Sequence, residues 1–335
     1  MKFSVDAGAL CADKNHRFGN YIVTENLIKA LRLYDHKNEY FFYTFCKKPH
    51  TKNLQPKIFW STLRTSIEEL IEKKDYYFAL NQALPLFGHQ KIISFSHGLS
   101  FHFYPKLYPD SAEKMKKQYE QMIKRSYKII VPSIKVKEEL ISIFPPSLPL
   151  SPRLQRSRKL RRTGRKIECE VVVIPYGVPF DMINDSKLRI TPCLPAGRDY
   201  GLRNKFFLAV GMDHPIKNQK ILPKSKYKFI VANNVSRTKL KSLYQKATAL
   251  VTTSLYESFN LPVLEALSQG CPVIGLKSAI IPELTPYVNV CKNEKELLYM
   301  LDQAENNKLK MPDVKEIKNK FSWKNYVTNI RIIVT

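Results

Sequence analysis

The hydrophobic positions along this chain form short apolar runs that alternate with longer amphipathic stretches. A short apolar run is typical of a buried strand, and apolar residues repeated every three or four positions are typical of a helix. Their alternation predicts βα units and parallel sheets, so the expected fold class is α/β. The predicted strands are residues 2–6, 40–45, 76–80, 91–96, 128–132, 170–174, 206–210, 228–231, 249–253 and 272–275. The predicted helices are residues 21–33, 66–73, 111–126, 134–144, 238–247, 262–269, 294–304 and a last one from about 313 to the end.

Two segments interrupt this alternation. Residues 145–166 are rich in proline and arginine without an apolar period, and residues 191–198 are similar in kind. Both predict inserted surface loops. A chain of 335 residues is long enough for two domains. Because the second interruption lies where two halves would join, we place a linker at residues 177–204.

Charge is the most unusual feature of the composition. Lysine and arginine number 55 against 29 acidic residues, which gives a net charge of +26 at pH 7. Eight of the basic residues lie between Leu148 and Ile167, a stretch with no acid. A field of this sign attracts phosphate groups on nucleotides, anionic lipids or nucleic acids. Most of the other lysines are spread along helical faces, as expected of a solvated surface.

The six cysteines lie far apart and show no paired spacing. They are Cys11, Cys46, Cys169, Cys193, Cys271 and Cys291. This pattern predicts buried, reduced thiols in a cytosolic protein and argues against a zinc site. No apolar run is long enough to span a bilayer, and the N-terminus lacks the pattern of a signal peptide. We therefore expect a cytoplasmic protein.

The strongest chemical signal lies in residues 252–274, TTSLYESFNLPVLEALSQGCPVI. A β-branched strand leads into a polar loop, Pro262 opens a helix, and Gly270 closes it before the next strand. Glu257 therefore lies in the loop at the carboxyl end of a strand, and Glu265 in the helix that follows. Ligands bind at this edge of a parallel sheet, where a helix start can receive phosphate and a carboxylate can accept ribose hydroxyls. Taken singly, each glutamate is more simply a loop acid or a favourable charge at a helix N-terminus.

This segment resembles the Glu-x7-Glu motif of the retaining glycosyltransferases of family 4, which adopt the GT-B fold. Other landmarks follow in the family's order. They are the N-terminal glycine loop at 17–21 (RFGNY), the histidine segment at 96–101 (SHGLSF), two further landmarks at 131–135 and 173–178, the lysine loop at 210–218 (VGMDHPIKN) and the terminal-helix start at 321–323 (FSW). The resemblance implies two Rossmann-like domains that face a central cleft. The implied organisation is an N-terminal acceptor domain at 1–176 with a basic insertion at 145–167, the linker at 177–204, a C-terminal nucleotide-sugar-binding domain at 205–311, and a terminal helix at 312–335 that crosses back to the N-terminal domain.

The resemblance also implies the roles of individual residues. Glu257 would orient hydroxyls of the donor sugar, His97 would contact that sugar from the other domain, and Lys217 would neutralise the donor diphosphate. These three are the catalytic candidates. The donor-binding candidates are Gly19, Gly211, Lys217, Ser258, Phe259, Asn260, Leu261 and Glu265.

The chain departs from the family pattern in two places. Met212 and Ile216 hold the positions where the family usually has arginine, so a bidentate contact to the diphosphate would be missing. After Asn218 the family has a helix, a strand and a glycine turn, but only about ten residues are present here, too few for more than one short element. We therefore expect a shortened second domain that lacks part of the sheet and of the nucleotide-base pocket.

The implied function is transfer of a hexose from GDP-hexose or UDP-hexose to a saccharide or lipid-linked acceptor, as in polysaccharide biosynthesis. Similarity to mannosyltransferase-like members suggests mannose. The anomeric configuration would be retained through an oxocarbenium-like transition state. No cofactor is expected beyond the nucleotide-sugar co-substrate, and no metal is expected because the sequence has no Asp-x-Asp motif.

Two alternatives stay open. The shortened domain and the missing arginines favour a degenerate GT-B protein that binds a nucleotide sugar without transferring it. A nucleic-acid-binding protein would use Arg153–Lys166, but this stretch lacks interleaved aromatic residues, so no specific nucleic acid is expected as a partner. The same basic stretch could instead dock on an anionic membrane surface, which would place the protein peripherally at the inner face of the membrane.

Overall fold

The computed structural model describes residues 1–13, 17–82, 84–88, 90–144, 169–183 and 206–335. The predicted basic insertion at 145–167 lies outside the described residues, as do the linker residues 184–204 and Cys193. The chain forms two compact units. The first comprises Met1–Asp13 and Asp35–Ile174, and the second comprises Lys14–Tyr34 and Pro175–Thr335. The domain boundaries expected from the sequence stay a prediction.

The first unit is built on a parallel sheet of seven strands. These strands are β1 (Lys2–Asp6), β2 (Glu39–Thr44), β3 (Lys52–Asn53), β4 (Tyr76–Ala79), β5 (Lys91–Phe95), β6 (Lys128–Val131) and β7 (Glu170–Val173). Their spatial order is β3-β2-β1-β4-β5-β6-β7, and every neighbouring pair is parallel. Strands β2 and β3 lie on one side of β1, and β4 to β7 lie on the other. The loops that leave the carboxyl ends on the two sides of β1 therefore run in opposite directions, and a crevice forms at that edge.

Helices of the first unit cover its sheet. The first helix of the chain, α1 (Gly19–Tyr34), groups with the second unit. Those of the first unit are α2 (Thr65–Ile71), α3 (Ser100–Phe103), α4 (Ala112–Arg125) and α5 (Ile134–Ile143). A π-helical turn, Trp60–Arg64, leads directly into α2. On the inner side of α4, Tyr119 and Met122 are fully buried and pack with Ile129 and Val131 of β6.

The second unit contains a parallel sheet of five strands. They are β8 (Phe207–Val210), β9 (Phe229–Ala232), β10 (Ala249–Thr252), β11 (Val273–Leu276) and β12 (Asn289–Cys291), in the spatial order β12-β11-β10-β8-β9. The helices after α5 are α6 (Phe180–Ile183), α7 (Arg237–Lys246), α8 (Leu261–Ser268), α9 (Glu294–Glu305), α10 (Val314–Lys320) and α11 (Trp323–Val334). Helix α1 packs against α11. One apolar cluster joins Val251 and Ile274 in the sheet to Leu297 and Leu301 of α9.

The α/β fold class and the parallel sheets predicted from the sequence are confirmed. Each predicted strand and helix is present with ends within two residues of the prediction, except the last helix. That helix is interrupted at Phe321–Ser322, where Ser322 Oγ accepts the N–H of Asn325 at 3.2 Å and caps a new helix. Strands β3 and β12 and the short helices α3 and α6 were missed, because two to four residues are too few to show a periodic pattern.

The expected shortening of the second domain appears between β8 and β9. Residues 211–228 join these two parallel strands, and the structure describes this stretch in full. It contains two 3-10 turns, Pro215–Lys217 and Gln219–Ile221, and no α-helix. A crossover between parallel strands usually contains an α-helix. This connection therefore lacks the usual crossover helix, and the expected loss of a strand and of part of the nucleotide-base pocket stays a prediction.

The prediction of reduced cysteines is wrong for one pair. Cys11 and Cys46 form a disulfide, with Cα atoms 5.8 Å apart. Because β1 and β2 are parallel neighbours, the segments that follow them leave the same edge of the sheet and can meet. A sequence separation of 35 residues gives no spacing signal for such a pair. Cysteine usage therefore no longer supports the expected cytoplasmic location.

Three other cysteines, Cys169, Cys271 and Cys291, are free thiols. Among the helices that the structure describes, none combines the length and the apolar character needed to cross a membrane.

Candidate functional site

Lys217 lies in the first 3-10 turn of the β8–β9 connection. His214 Nδ1 accepts the N–H of Ile216 at 3.2 Å and caps this turn. At the end of β10, Thr253 Oγ1 donates to the Lys217 carbonyl at 2.9 Å, and the N–H of Leu255 donates to the Ile216 carbonyl at 2.8 Å. These bonds fasten the turn to the loop after β10. They fix the point from which the Lys217 side chain starts.

Gly211 provides the path for that side chain. Its φ of +139° lies in a region that residues with a side chain rarely adopt. A Cβ at this position would lie 3.1 Å from Cε and 3.4 Å from Cδ of Lys217. The aliphatic part of Lys217 therefore runs directly across the glycine backbone.

The structure brings Lys217 and Glu257 together. Lys217 Nζ donates to Glu257 Oε1 at 2.7 Å. The two side chains keep 21% and 13% of their surface exposed, so the pair is reached by solvent. A partly exposed ammonium group can exchange its carboxylate partner for another anion, because the water around it compensates for the bond that is lost. This arrangement can bind a phosphate group.

The start of α8 lies beside this pair in the chain, after Asn260. Asn260 adopts a φ of 65°, and its side-chain amide donates to Thr252 Oγ1 at 3.2 Å and to the Ala279 carbonyl at 3.0 Å. Its side chain therefore anchors the helix start and does not cap it. A Cβ on Gly19 would lie 4.0 Å from Leu261 Cδ1, so α1 and α8 begin next to each other. Two helix N-termini add positive potential at one place.

Phe259 was predicted to bind the donor, but its side chain is packed in the interior. Its side chain is 1% exposed, and its ring lies 5.0 Å from the ring of Tyr176 and 6.3 Å from that of Phe321. A donor could therefore meet Phe259 only through its backbone. The neighbouring candidates Ser258 and Leu261 are half-buried.

Glu265 is already bonded on both oxygens. Oε1 accepts from Arg237 Nη2 at 2.8 Å, and Oε2 accepts from the Tyr244 hydroxyl at 3.0 Å. The residue is 2% exposed, and burial raises the pKa of its carboxyl although Arg237 acts to lower it. Arg237 also forms a fork with Asp181, at 2.6 Å and 3.1 Å. A ribose contact at Glu265 would have to join or replace these bonds.

Sequence reasoning missed Arg237, Tyr244 and Asp181. They come from α7 and α6, distant in sequence from the Glu-x7-Glu segment, and no local pattern marks them. Only the packing of α6, α7 and α8 against one another brings them to Glu265.

His97, the remaining catalytic candidate, lies in the first unit directly after β5. Its Nε2 lies 2.6 Å from the carbonyl oxygen of Leu80. A carbonyl oxygen can only accept, so Nε2 carries the proton. Burial lowers the pKa of His97, which favours the neutral ring.

Asp6, at the end of β1, is an acid that sequence reasoning did not single out. It is fully buried, and Oδ1 accepts from the N–H of Gly8 at 3.0 Å and from the Asn81 amide at 2.9 Å. Burial raises the pKa of Asp6 to about 6 despite these bonds. Its position at the end of a strand could have marked it in the sequence as a candidate site residue. Its contacts, however, are those of a residue that fixes the loops around Gly8 and Asn81.

Comparisons with known proteins agree with this architecture. Residues 207–319 match the family model described as Glycosyl transferases group 1. Sucrose-phosphate synthase from Thermosynechococcus elongatus is similar, with a TM-score of 0.67 and 16% identity over 100% of this chain and 98% of that one. The lipopolysaccharide outer core galactosyltransferase WaaB in its apo form has a TM-score of 0.60 and 14% identity over 100% of both chains. HepE from Anabaena, in complex with UDP-glucose, has a TM-score of 0.60 and 13% identity over 100% of this chain and 99% of that one.

Among curated proteins, none matches this chain. At such low identities, likeness to solved structures establishes the fold alone. Membership of family 4, retention and mannose specificity stay predictions. Residues 207–319 match the model of group 1 glycosyltransferases, within a chain that has an α/β fold of the GT-B type.

Proposed function

We propose that this protein is a glycosyltransferase that uses a nucleotide sugar as its donor. The observation that carries the proposal is the Lys217–Glu257 pair, 2.7 Å apart and partly exposed, in the loops that follow β8 and β10. Both residues lie within the stretch that matches group 1 glycosyltransferases. A cation, a carboxylate and a helix start at one sheet edge suit a ligand with both phosphate and hydroxyl groups.

In the proposed mechanism, the donor diphosphate replaces Glu257 as the partner of Lys217. Glu257 is then released to accept hydrogen bonds from hydroxyls of the donor sugar. As the bond between the anomeric carbon and the diphosphate breaks, negative charge develops on the diphosphate, the acceptor hydroxyl oxygen bonds to the anomeric carbon, and the hydroxyl proton passes to the departing diphosphate. Lys217 and the starts of α8 and α1 balance this charge without rearrangement, which lowers the barrier. His97 is proposed to contact the donor sugar, and Glu265 the ribose.

The finer points belong to the same proposal. HepE binds UDP-glucose and also UDP, which supports UDP-hexoses as the first donors to test, followed by GDP-hexoses including GDP-mannose. We propose a saccharide or lipid-linked acceptor, retention of configuration, and no requirement for a metal or a cofactor. A cytoplasmic location, peripheral at an anionic membrane surface, would suit a lipid-linked acceptor.

A second candidate is a GT-B protein that binds a nucleotide sugar without transferring it. The shortened β8–β9 connection favours it, as does the engagement of both Glu265 oxygens by Arg237 and Tyr244. The two candidates differ in turnover and not in binding.

The test measures release of UDP or GDP from a panel of nucleotide sugars, with and without saccharide acceptors. We expect turnover by the wild type and a loss of about 10²-fold or more in Glu257→Ala and in Lys217→Ala, with the circular dichroism spectrum unchanged. Lys220→Ala, an exposed lysine three residues on, is the matched control and should keep full activity. Turnover equal to the wild type in either site variant would refute the residue roles. Calorimetric binding of a nucleotide sugar without any turnover would establish the second candidate.

A further inference from the structure

Eight of the twenty large apolar side chains exposed in the described part of the chain lie in one small region of the first unit. They have 37–74% of their surface exposed and form what we call the apolar face: Ile58, Phe59, Leu63, Ile67, Leu70, Ile71, Leu86 and Phe87. Scattered exposed apolar residues are normal on a protein surface, but a concentration of them marks a site of contact with a protein or a membrane.

The apolar face is built on one side of a single helical stretch. The π-helical turn Trp60–Arg64 continues without a break into α2. Leu63, Ile67 and Ile71 follow each other at intervals of four residues, so their side chains lie on the same side. Phe59 directly precedes the stretch with a left-handed backbone, φ 57°. At about 1.5 Å per residue, the helical stretch from 60 to 71 spans about 17 Å.

A neighbouring loop extends the apolar face sideways. The N–H of Leu86 donates to the Thr62 carbonyl at 3.3 Å, and the N–H of Phe87 donates to Ser66 Oγ at 3.3 Å. Arg125, at the end of α4, donates to the Leu86 carbonyl at 3.2 Å and secures the loop from the other side. The face is therefore a continuous, fixed surface.

The polarity of this helical stretch is reversed. The polar residues of α2 itself point inward, where Glu69 Oε1 accepts from the Tyr43 hydroxyl at 2.9 Å and Glu68 forms an ion pair with Lys52. Both glutamates are at most 5% exposed. A surface helix ordinarily buries its apolar side and exposes its polar side, as α4 does. Bonded polar groups hold the inward side of α2, and its apolar side is left for another partner.

The charges around the apolar face favour an anionic lipid surface as that partner. Lys57, Arg64 and Lys73 are exposed at its edge. Of the three acids between residues 55 and 73, Glu68 and Glu69 are buried, and Glu72, 39% exposed, is paired with Lys74 at 2.9 Å. The exposed cations are therefore in excess along this stretch. Apolar side chains flanked by basic ones are typical of helices that lie in the membrane interface, with cations at the headgroup phosphates.

We propose that the apolar face docks the first unit on an anionic membrane. Phe59, Leu63 and Ile67 enter the boundary between headgroups and acyl chains, while Lys57 and Arg64 bind headgroup phosphates. Docking would hold the proposed transferase near a lipid-linked acceptor, and this use alone rests on the proposed function. The docking itself needs neither donor nor turnover.

The test is co-sedimentation of the full chain with vesicles of phosphatidylcholine, with and without phosphatidylglycerol. We expect the wild type to bind the vesicles that contain phosphatidylglycerol. The triple variant Phe59→Ser/Leu63→Ser/Ile67→Ser should bind at least about tenfold more weakly, because its apolar contribution is lost. The matched control is Leu298→Ser/Tyr299→Ser/Ile332→Ser, which changes three exposed apolar residues of the second unit and should bind like the wild type.

The basic residues are tested separately. Lys57→Gln/Arg64→Gln should weaken binding to the anionic vesicles by about 25-fold at low salt, about fivefold for each charge removed. Absence of wild-type binding, or triple-variant binding equal to the wild type, would overturn the proposal. The proposal would also be overturned if the wild type bound no vesicles but formed a concentration-dependent dimer that the triple variant does not form. The partner of the apolar face would then be a second copy of the chain. Release of UDP in solution should be unchanged in the triple variant, which separates docking from catalysis.

Discussion

Asp6 and Glu257 occupy similar places in the two units and behave differently. Each follows a parallel strand at the edge where ligands usually bind, Asp6 at the end of β1 and Glu257 in the loop after β10. Asp6 has no exposed surface, and its hydrogen bonds come from the Gly8 N–H and the Asn81 amide. Glu257 keeps part of its surface exposed and faces the Lys217 ammonium.

The difference shows that position at a sheet edge is not enough to identify a site. An acid that is buried among neutral donors is fixed to the turn that follows its strand, as Asp6 is through Oδ1, while Oδ2 of Asp6 is buried without a hydrogen-bond partner in the described structure. An acid that is paired with a partly exposed cation, as Glu257 is with Lys217, can be replaced at that cation by an incoming anion. The nature of the partner and its access to solvent therefore distinguish the two roles.

The largest effect is expected at the exchangeable pair. Lys217→Ala should lower kcat/KM for the nucleotide sugar by about 10²–10³-fold, because the charge that develops on the leaving diphosphate loses its cation. Nucleotide-release kinetics measure this loss. If kcat/KM of Lys217→Ala were within twofold of that of Lys220→Ala, the proposed difference between Asp6 and Glu257 would be contradicted.

At Asp6 the expected effect is on stability. The pKa of this carboxyl is raised from 3.8 to about 6 in the folded protein, so the folded state holds the proton more tightly than the unfolded state. Its stabilisation is complete below pH 3.8 and is lost as the pH rises through 6, a change of about 3 kcal/mol. Asp6→Asn keeps the acceptor for Gly8 and Asn81 but does not titrate. The free energy of unfolding, measured with urea from pH 4 to 7, should fall more steeply in the wild type than in Asp6→Asn. An equal dependence on pH in the two proteins would contradict this prediction.

Arg237 provides a test of the buried carboxylate in the second unit. Arg237→Met leaves Glu265 with the Tyr244 hydroxyl alone, and we expect unfolding to become easier by about 2 kcal/mol. Adding Glu265→Gln removes the uncompensated charge and should restore most of this loss. Chemical denaturation of the two single variants and the double variant measures the coupling. Strictly additive effects would mean that Arg237 does not stabilise Glu265.

Gly211 offers the smallest effect. Gly211→Ala strains a backbone with φ of +139° and places a methyl group 3.1 Å from Lys217 Cε, which should shift the ammonium and raise the donor KM about tenfold. The control is Gly270→Ala, which also has a positive φ but lies against Val314 and should leave KM unchanged. Equal KM values for the two variants would show that only backbone strain matters.

Local patterns predicted most of the fold and part of the site. The alternation of apolar runs and amphipathic stretches was sufficient for both sheets, and the order of the family landmarks placed Lys217 and Glu257 in neighbouring loops. That β8 and β10 are adjacent in the sheet explains why these loops meet. Periodicity predicted α2 as a helix but could not show that its polar side faces inward.

Other features depend on contacts between residues distant in sequence. Cys11 pairs with Cys46 because β1 and β2 are neighbours, and Arg237 reaches Glu265 because α7 packs on α8. No spacing in the chain encodes either contact, so only the assembled structure shows them.

The central claim is that Lys217 exchanges Glu257 for a donor diphosphate. A crystal structure of the protein soaked with UDP-glucose tests it most directly. We predict a diphosphate oxygen at about 3 Å from Lys217 Nζ, with Glu257 separated from Lys217 and turned toward the sugar hydroxyls. A bound nucleotide that leaves the Lys217–Glu257 pair intact and lies elsewhere on the protein would contradict the account.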